Sequence, residues 1–430
     1  MNPMSKTSGK QLKICIIAST YPRYEADYAV PWLRESVRRL VERGHQVSIL
    51  APSYQGLTDH AIDGVPVHRF RYSPARWERL THEEGAPNRI RNPLFQLLAA
   101  PYVGLGCRAA ARLAAERQFD IIHAHWPFPH EPIASAAAKV CGAPLVLTCH
   151  GAEFAIARRK SWVQPLLRKS LLKGDALIAN STHTAQQIKN SCGRDALVLP
   201  YGTTVSAKPA TAQANPKPRI LFTGRLIPRK GVQYLIEAMP HVLGRFDAEL
   251  IICGDGDCKP GLQRLTQSLG LEKNISFLGF VSNERLDEEY ARCDIWVNPS
   301  IVDDRGDTEG LGVGAIEAYA HRKPVVASRV GGIPDAVVSG ETGYLVAEKD
   351  EFELADAILQ LLNNPAQTQA MGQAGYQFAQ TRFHWETITD SLESVYYQLL
   401  GQARPSLPQT AEDLPELESQ QEKAVLEECV

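Results

Sequence analysis

The chain of 430 residues is 44% hydrophobic and 22% charged, with a formal net charge of −2. That length and balance suit two ordinary globular domains and exclude a disordered, collagen-like or coiled-coil chain. The near-neutral total conceals a division, since residues 1–200 hold 26 Lys and Arg against 15 Asp and Glu and the remainder holds 20 against 33.

Met1 to Lys10 is polar, and the apolar run Ile14 to Ala18 is too short for a secretory core, so it predicts a first strand and a cytoplasmic protein. Short apolar runs at Lys13 to Ser19, Gln46 to Ala51, Asp120 to His123, Pro144 to Cys149, Asp175 to Ala179 and Ala196 to Pro200 predict strands. Helical periodicity lies between several of them, at Val30 to Arg43, Glu131 to Val140 and Ser181 to Ser191. The alternation predicts an α/β unit with an open parallel sheet over residues 1–205. The weakly polar stretch Leu94 to Gly106 contains Gln96, Pro101, Gly104 and Gly106 and does not suit a bilayer span.

Residues 206–218, rich in Ala, Pro, Lys and Asn, predict a linker. The alternation restarts with strands at Arg219 to Thr223, Glu249 to Cys253, Ile275 to Leu278, Asp294 to Asn298, Pro324 to Ala327 and Gly343 to Val346, giving a second α/β unit over 219–382. Two such doubly wound, Rossmann-like units in series place a cleft between them. Residues 383–401 are helical, with Ile388, Leu392, Val395, Tyr396 and Leu399 on one side. Residues 402–430 carry seven acidic and two basic side chains and are expected to be disordered.

Arg34, Arg38, Arg39 and Arg43 fall largely on one helix face, and Arg158, Arg159, Lys160, Arg168 and Lys169 form a second cluster. No nucleic-acid motif accompanies them, so an anionic membrane surface is the expected partner and nucleic acid is not. Nine cysteines without a CxxC pair point to reduced thiols rather than a disulfide framework or zinc site. The sequence leaves the oligomeric state open.

The segment Asp307-Thr308-Glu309-Gly310-Leu311-Gly312 leads into a predicted helix carrying Glu317. A glycine-rich turn feeding a helix offers free N–H groups to an anion, while carboxylates beside it can hold hydroxyls, so a phosphate- and sugar-bearing ligand is expected. Val330 to Asp335 predicts a second glycine turn opening a helix at the same crevice. Arg225 and Lys230 follow a predicted strand and can offset charge on a departing diphosphate.

These segments resemble the donor-site signature of glycosyltransferase family 4, retaining enzymes of the GT-B fold. The resemblance extends through Gly224-Arg225-Leu226 with Lys230-Gly231, Cys253-Gly254-Asp255-Gly256, Phe277 to Val281 and Phe383 to Glu386, and covers roughly residues 12 to 400. It implies that Arg225 and Lys230 bind the diphosphate, that Glu317 holds the ribose, and that Glu309 contacts the donor sugar. Gly310, Leu311, Gly312, Gly254, Phe280 and Val281 join the implied donor site. Thr148-Cys149-His150-Gly151 is similar to the family loop whose histidine lies beside the donor sugar, with Glu153 where the family has aspartate. His125, and Arg23 in the first loop, are expected on the acceptor side. The terminal helix is implied to cross back to the first domain.

The implied activity is retaining, metal-independent transfer of a hexose from a GDP- or UDP-linked sugar to a glycan or lipid-linked acceptor, as in bacterial surface polysaccharide or lipopolysaccharide assembly. No cofactor is implied. Asp303-Asp304-Arg305-Gly306-Asp307 reads as a charged loop, not a DxD metal motif. Front-face transfer and a covalent step at Glu309 both remain open. A nucleotide-sugar epimerase, a GT-B-like phosphorylase and a non-catalytic sugar-nucleotide-binding protein are the alternatives. The chain departs from the family at Thr20 to Tyr24, which lacks a glycine pair, at Pro200-Tyr201-Gly202, which lacks the usual asparagine, and at His321-Arg322-Lys323.

Overall fold

A computed structural model describes residues 11–27, 29–81, 97–202 and 216–402. The N-terminal ten residues, most of the linker and the acidic tail expected to be disordered lie outside them. Strands buried on both faces should read as continuous apolar runs, and those runs form two sheets here. In the first sheet, β1 is Lys13–Ile17, β2 Gln46–Pro52, β3 His60–Ile62, β4 Val65–Phe70, β5 Ile121–His125, β6 Leu145–Cys149, β7 Ala176–Ala179 and β8 Leu197–Val198. Their order is β3-β4-β2-β1-β5-β6-β7-β8, and only the β3–β4 pair is antiparallel. This hairpin was absent from the predicted elements, and its turn is Asp63-Gly64, both at positive φ.

The second sheet comprises β9 Arg219–Thr223, β10 Glu249–Cys253, β11 Ile275–Gly279, β12 Ile295–Asn298, β13 Val325–Ser328 and β14 Gly343–Val346. All are parallel in the order β11-β10-β9-β12-β13-β14. In each sheet the winding direction reverses once, between β1 and β5 and between β9 and β12. Ligand crevices in such sheets open beyond the strand ends at these reversals.

Val330 to Asp335 does not open an α-helix, as predicted, but ends in a single 3-10 turn, Ile333–Asp335. The Asp335 carboxylate leaves the turn to accept from the Thr182 N–H at 2.5 Å and its hydroxyl at 2.8 Å in the other half of the molecule.

The last helix, Trp385–Leu399, buries Leu392, Tyr396 and Tyr397 in the same apolar cluster as Leu12, Ile14, Leu33 and Val37 on one face of the first sheet. The Tyr396 hydroxyl meets His123 Nδ1 at 2.7 Å. The expected free arginine face is corrected here. Arg34 pairs with Glu25 and Asp63, and Arg38 pairs with Glu35 and Glu42. Arg39 reaches Glu386, while Arg43 binds Glu386, Asp390 and Glu393. All four arginines are therefore neutralised, two of them by the terminal helix. No helix among the described residues is long and apolar enough to cross a membrane.

Candidate active site

The ends of β9 and β12, at the reversal of the second sheet, carry the two loops with the predicted cations and carboxylates. They face Gly151, Ala152, Arg158, Arg159 and His183 of the first unit across a cleft of about 870 Å3. Gly231 turns the chain at φ 61 between Lys230 and the next helix, and a Cβ there would stand 2.0 Å from Pro299 O, so glycine is required for the two loops to touch.

Glu309 is buried and takes Lys230 Nζ at 2.9 Å on Oε1, which also accepts from Arg229. Desolvation disfavours its charge, but Lys230 and Arg229 more than compensate and hold the carboxyl below its ordinary pKa. Arg229 was not among the predicted site residues; adjacent to Lys230, it carries no spacing signal of its own. Arg225 lines the cleft, exposed and without an ion-pair partner among the described residues. No protein carboxylate among the described residues competes for it.

Glu317 stands one helix turn inside Val313–Ala320 and accepts from Tyr290 Oη at 2.7 Å. Trp296 Nε1 can only donate, so Thr223 Oγ1 accepts from it at 3.0 Å and passes its own hydrogen to Tyr290 Oη at 2.8 Å. This directed chain leaves one Glu317 oxygen without a protein donor. The residue keeps solvent exposure, while desolvation of the carboxyl raises its pKa.

Gly312, at φ 80, sits directly before that helix, and Gly310 lies where a Cβ would approach Asn180 Nδ2 at 3.0 Å and His150 O at 3.5 Å. The second glycine turn packs on the first, because Gly332 N donates to Glu309 O at 3.0 Å. The two turns thus converge as the sequence suggested. Leu311 instead points into the core, and Gly254 donates its N–H to Gly279 O at 2.8 Å. Phe280 is 91% exposed just beyond β11, with Val281 half-buried behind it.

His150 follows β6 and lines the cleft. Its N–H donates to Glu153 Oε1 at 3.0 Å, its Nε2 meets His125 Nδ1 at 3.0 Å, and its Nδ1 meets Tyr201 Oη at 2.8 Å. Burial pushes His150 down to about 3, so the ring is neutral. His125 is buried behind it rather than open to the acceptor side as expected, and desolvation lowers its pKa as well. Arg23 pairs with Asp27 at 2.6 Å and stacks over Tyr54, away from the residues that line the cleft. Asp303 Oδ1 accepts from the Arg305 and Asp307 amides, and Gly306 O accepts from Arg158 at 2.5 Å, so this loop bridges the cleft. Asn180 Oδ1 and Thr308 Oγ1 are buried beside it with no protein partner, two further groups that motif spacing did not flag. A separate open cavity of about 750 Å3 lies at the opposite end of the second sheet, before the starts of β9, β12 and β13, around Lys217, Arg322 and Lys323.

The model of the family described as Glycosyltransferase Family 4 matches residues 32–205, and that of Glycosyl transferases group 1 matches residues 206–378. A GDP-mannose-dependent monoacylated alpha-(1-6)-phosphatidylinositol monomannoside mannosyltransferase of Corynebacterium glutamicum is 30% identical over 322 residues, 71% of this chain and 83% of its own. This chain is a family 4 glycosyltransferase. A second relative of the glycosyltransferase, the GDP-mannose-dependent alpha-(1-6)-phosphatidylinositol monomannoside mannosyltransferase of Mycobacterium tuberculosis, is 28% identical, with 84% of this chain and 92% of its own covered. The sucrose-phosphate synthase of Thermosynechococcus elongatus shares the glycosyltransferase's fold, with TM-score 0.70 at 21% identity over 91% of this chain and 100% of its own. The GT-B arrangement expected from the sequence is the one present.

Proposed function

We propose that this glycosyltransferase moves a hexose from a nucleoside diphosphate sugar to a glycan or lipid-linked acceptor, with retention at the anomeric carbon and without a metal. The carrying observation is that Arg225 and Glu309 line one cleft at the sheet reversal, with Lys230 paired to Glu309 and Glu317 in the helix that follows the Glu309 loop. In this reading Arg225 and Lys230 bind the diphosphate and stabilise the charge it gains as the C1–O bond breaks. Glu309 then exchanges its lysine contact for sugar hydroxyls, and the unclaimed Glu317 oxygen takes a ribose hydroxyl. The acceptor oxygen bonds to C1 on the face the diphosphate leaves, and its proton passes to a departing phosphate oxygen. His150, neutral and with both ring nitrogens engaged, is unsuited to act as the base.

The relatives' printed donor makes GDP-mannose the first candidate, with UDP-linked hexoses the comparison. Membrane attachment would rest on exposed Trp162, Leu166 and Leu172 beside Arg168 and Lys169, since the Arg34 to Arg43 face is paired. Such a surface would suit a role at the inner leaflet in surface polysaccharide or lipopolysaccharide assembly, which this reading includes. Thermal-shift screening with GDP and UDP and then their sugars tests donor binding. An α-linked donor should then give an α-linked product, with turnover unaffected by a chelator. An inverted product, or donor isomerised without acceptor, would reject this function.

A further inference from the structure

Tyr201 precedes Gly202 in the segment where the resemblance would lead one to expect asparagine, at the end of the described part of the first unit. Trp32 stacks on Tyr201 at 4.7 Å and sits tilted against His150, also at 4.7 Å, while Asn180 Nδ2 donates to the Tyr201 hydroxyl at 3.2 Å. Behind it, Gly202 lies so close to Trp385 that a Cβ would meet the indole at 2.4 Å. The phenol is therefore wedged between the His150 loop and the start of the terminal helix.

Hydrogen-bond direction follows from this geometry. With its oxygen accepting from Asn180, the buried Tyr201 hydroxyl has His150 Nδ1 as its other partner at 2.8 Å, and pairing the phenol hydrogen requires that it be donated there. Nδ1 is then an acceptor, so the ring proton sits on Nε2 and is donated to His125 Nδ1. The His150 amide is already committed to Glu153. What the residue presents to the donor loop is its carbonyl oxygen, 3.5 Å from where a Gly310 Cβ would stand.

We propose that Tyr201 is a positioning residue that, with Asn180, locks His150 as the Nε2–H tautomer with its ring turned from the cleft and its carbonyl aimed at the reacting sugar. An asparagine side chain at position 201 is shorter than the phenol and does not span the same gap to Nδ1. The inference rests on the proposed transfer at the Glu309 and His150 cleft, but its tautomer component can be read without any substrate.

The test combines imidazole nitrogen NMR on histidine-labelled full-length protein with donor hydrolysis in the absence of acceptor, using GDP-mannose and UDP-glucose. Wild type should show His150 as the Nε2–H form. Tyr201→Phe, which keeps the stack on Trp32, should give mixed tautomers and a kcat for hydrolysis reduced roughly 10- to 100-fold with donor KM within about twofold, the pattern of a misplaced group rather than a lost ligand. If that variant does not fold, Asn180→Leu serves instead, because an undirected hydroxyl would also mix the tautomers. An Nδ1–H tautomer in wild type, an unchanged tautomer in the variant, or hydrolysis within twofold of wild type would each overturn the proposal. If neither donor is hydrolysed by wild type, the proposed donors are wrong and the tautomer result alone decides the role of Tyr201.

Discussion

Arg43→Met should loosen the terminal helix by an amount that the surroundings of three carboxylates determine. The guanidinium has 13% side-chain exposure and contacts Glu386, Asp390 and Glu393, whose exposures are 51%, 35% and 7%. The two outer pairs are solvated and contribute about 0.5 kcal/mol each. Glu393 is different, because it is buried, and taking the guanidinium from it while His45 stays at 2.8 Å costs about 1–3 kcal/mol. The expected total is about 2–4 kcal/mol, or a fall in apparent Tm of roughly 4–16 °C at the 2–4 °C per kcal/mol typical of domains this size. Differential scanning fluorimetry at neutral pH measures it, with Arg43→Lys as the charge-keeping control.

The pH dependence supplies a second constraint. Desolvation opposes the charge on Glu386 and Glu393, yet Arg43 and, for Glu393, His45 hold both carboxyls below their ordinary pKa. Their contribution is therefore complete above the usual carboxylate range and is lost as pH falls through the depressed values, where wild type and variant should converge. Arg43→Met paired with Glu393→Gln should cost less than the sum of the single changes. A Tm within 1 °C of wild type at neutral pH, at a precision set by about 0.3 kcal/mol, would refute the view that this clasp fastens the helix.

Arg229→Met should raise the pKa of Glu309 and move the acid limb of kcat/KM to higher pH, since one of its two compensating cations is gone; a limb that stays in place would remove Arg229 from the site. Glu153 is held at about 7 by burial against 4.5 for a free carboxyl, so the folded state binds more protons in that interval and loses stability as pH rises through it. Glu153→Gln can still accept from the His150 amide and should gain up to about 3 kcal/mol over wild type above pH 7 and little below pH 4.5, read as Tm against pH. Gly231→Ala should lower Tm and donor affinity together, because its Cβ would collide with Pro299 O. Tyr290→Phe should weaken donor binding by about 1 kcal/mol while leaving the donor-saturated rate nearly intact, as expected for a group that orients Glu317.

Parallel strands such as β1 and β10 were legible because both faces are buried and the apolar run after the first residue is unbroken. The β3–β4 hairpin was passed over because its strands are short and partly open, though Asp63-Gly64 carried the turn signal. At the site, charge and spacing pointed to Glu309 and Arg225, which line one cleft, and to Lys230, which pairs with Glu309. They did not distinguish Lys230 from Arg229, since neighbours on a loop differ in direction and not in composition. Leu311 and Gly254 lie within motif segments, yet one side chain faces the core and the other residue's amide is taken by Gly279. Arg39 and Arg43 looked free because their partners on the terminal helix are more than 340 residues away in sequence, whereas Arg34 and Arg38 pair with carboxylates nearby. Local charge patterns carry no information about contacts of that length.

The terminal helix means that the unit around the first sheet is made from two separated pieces of chain. Until residues 385–399 have been synthesised, the face bearing Leu12, Ile14, Leu33 and Val37 lacks its cover. At ordinary ribosomal speeds that face waits roughly 10–40 s after Gly202 emerges, exposed to other nascent apolar surfaces. A chimera that takes its donor half from another enzyme should therefore be rejoined to this chain near Phe383, so that the native helix returns with the face it covers.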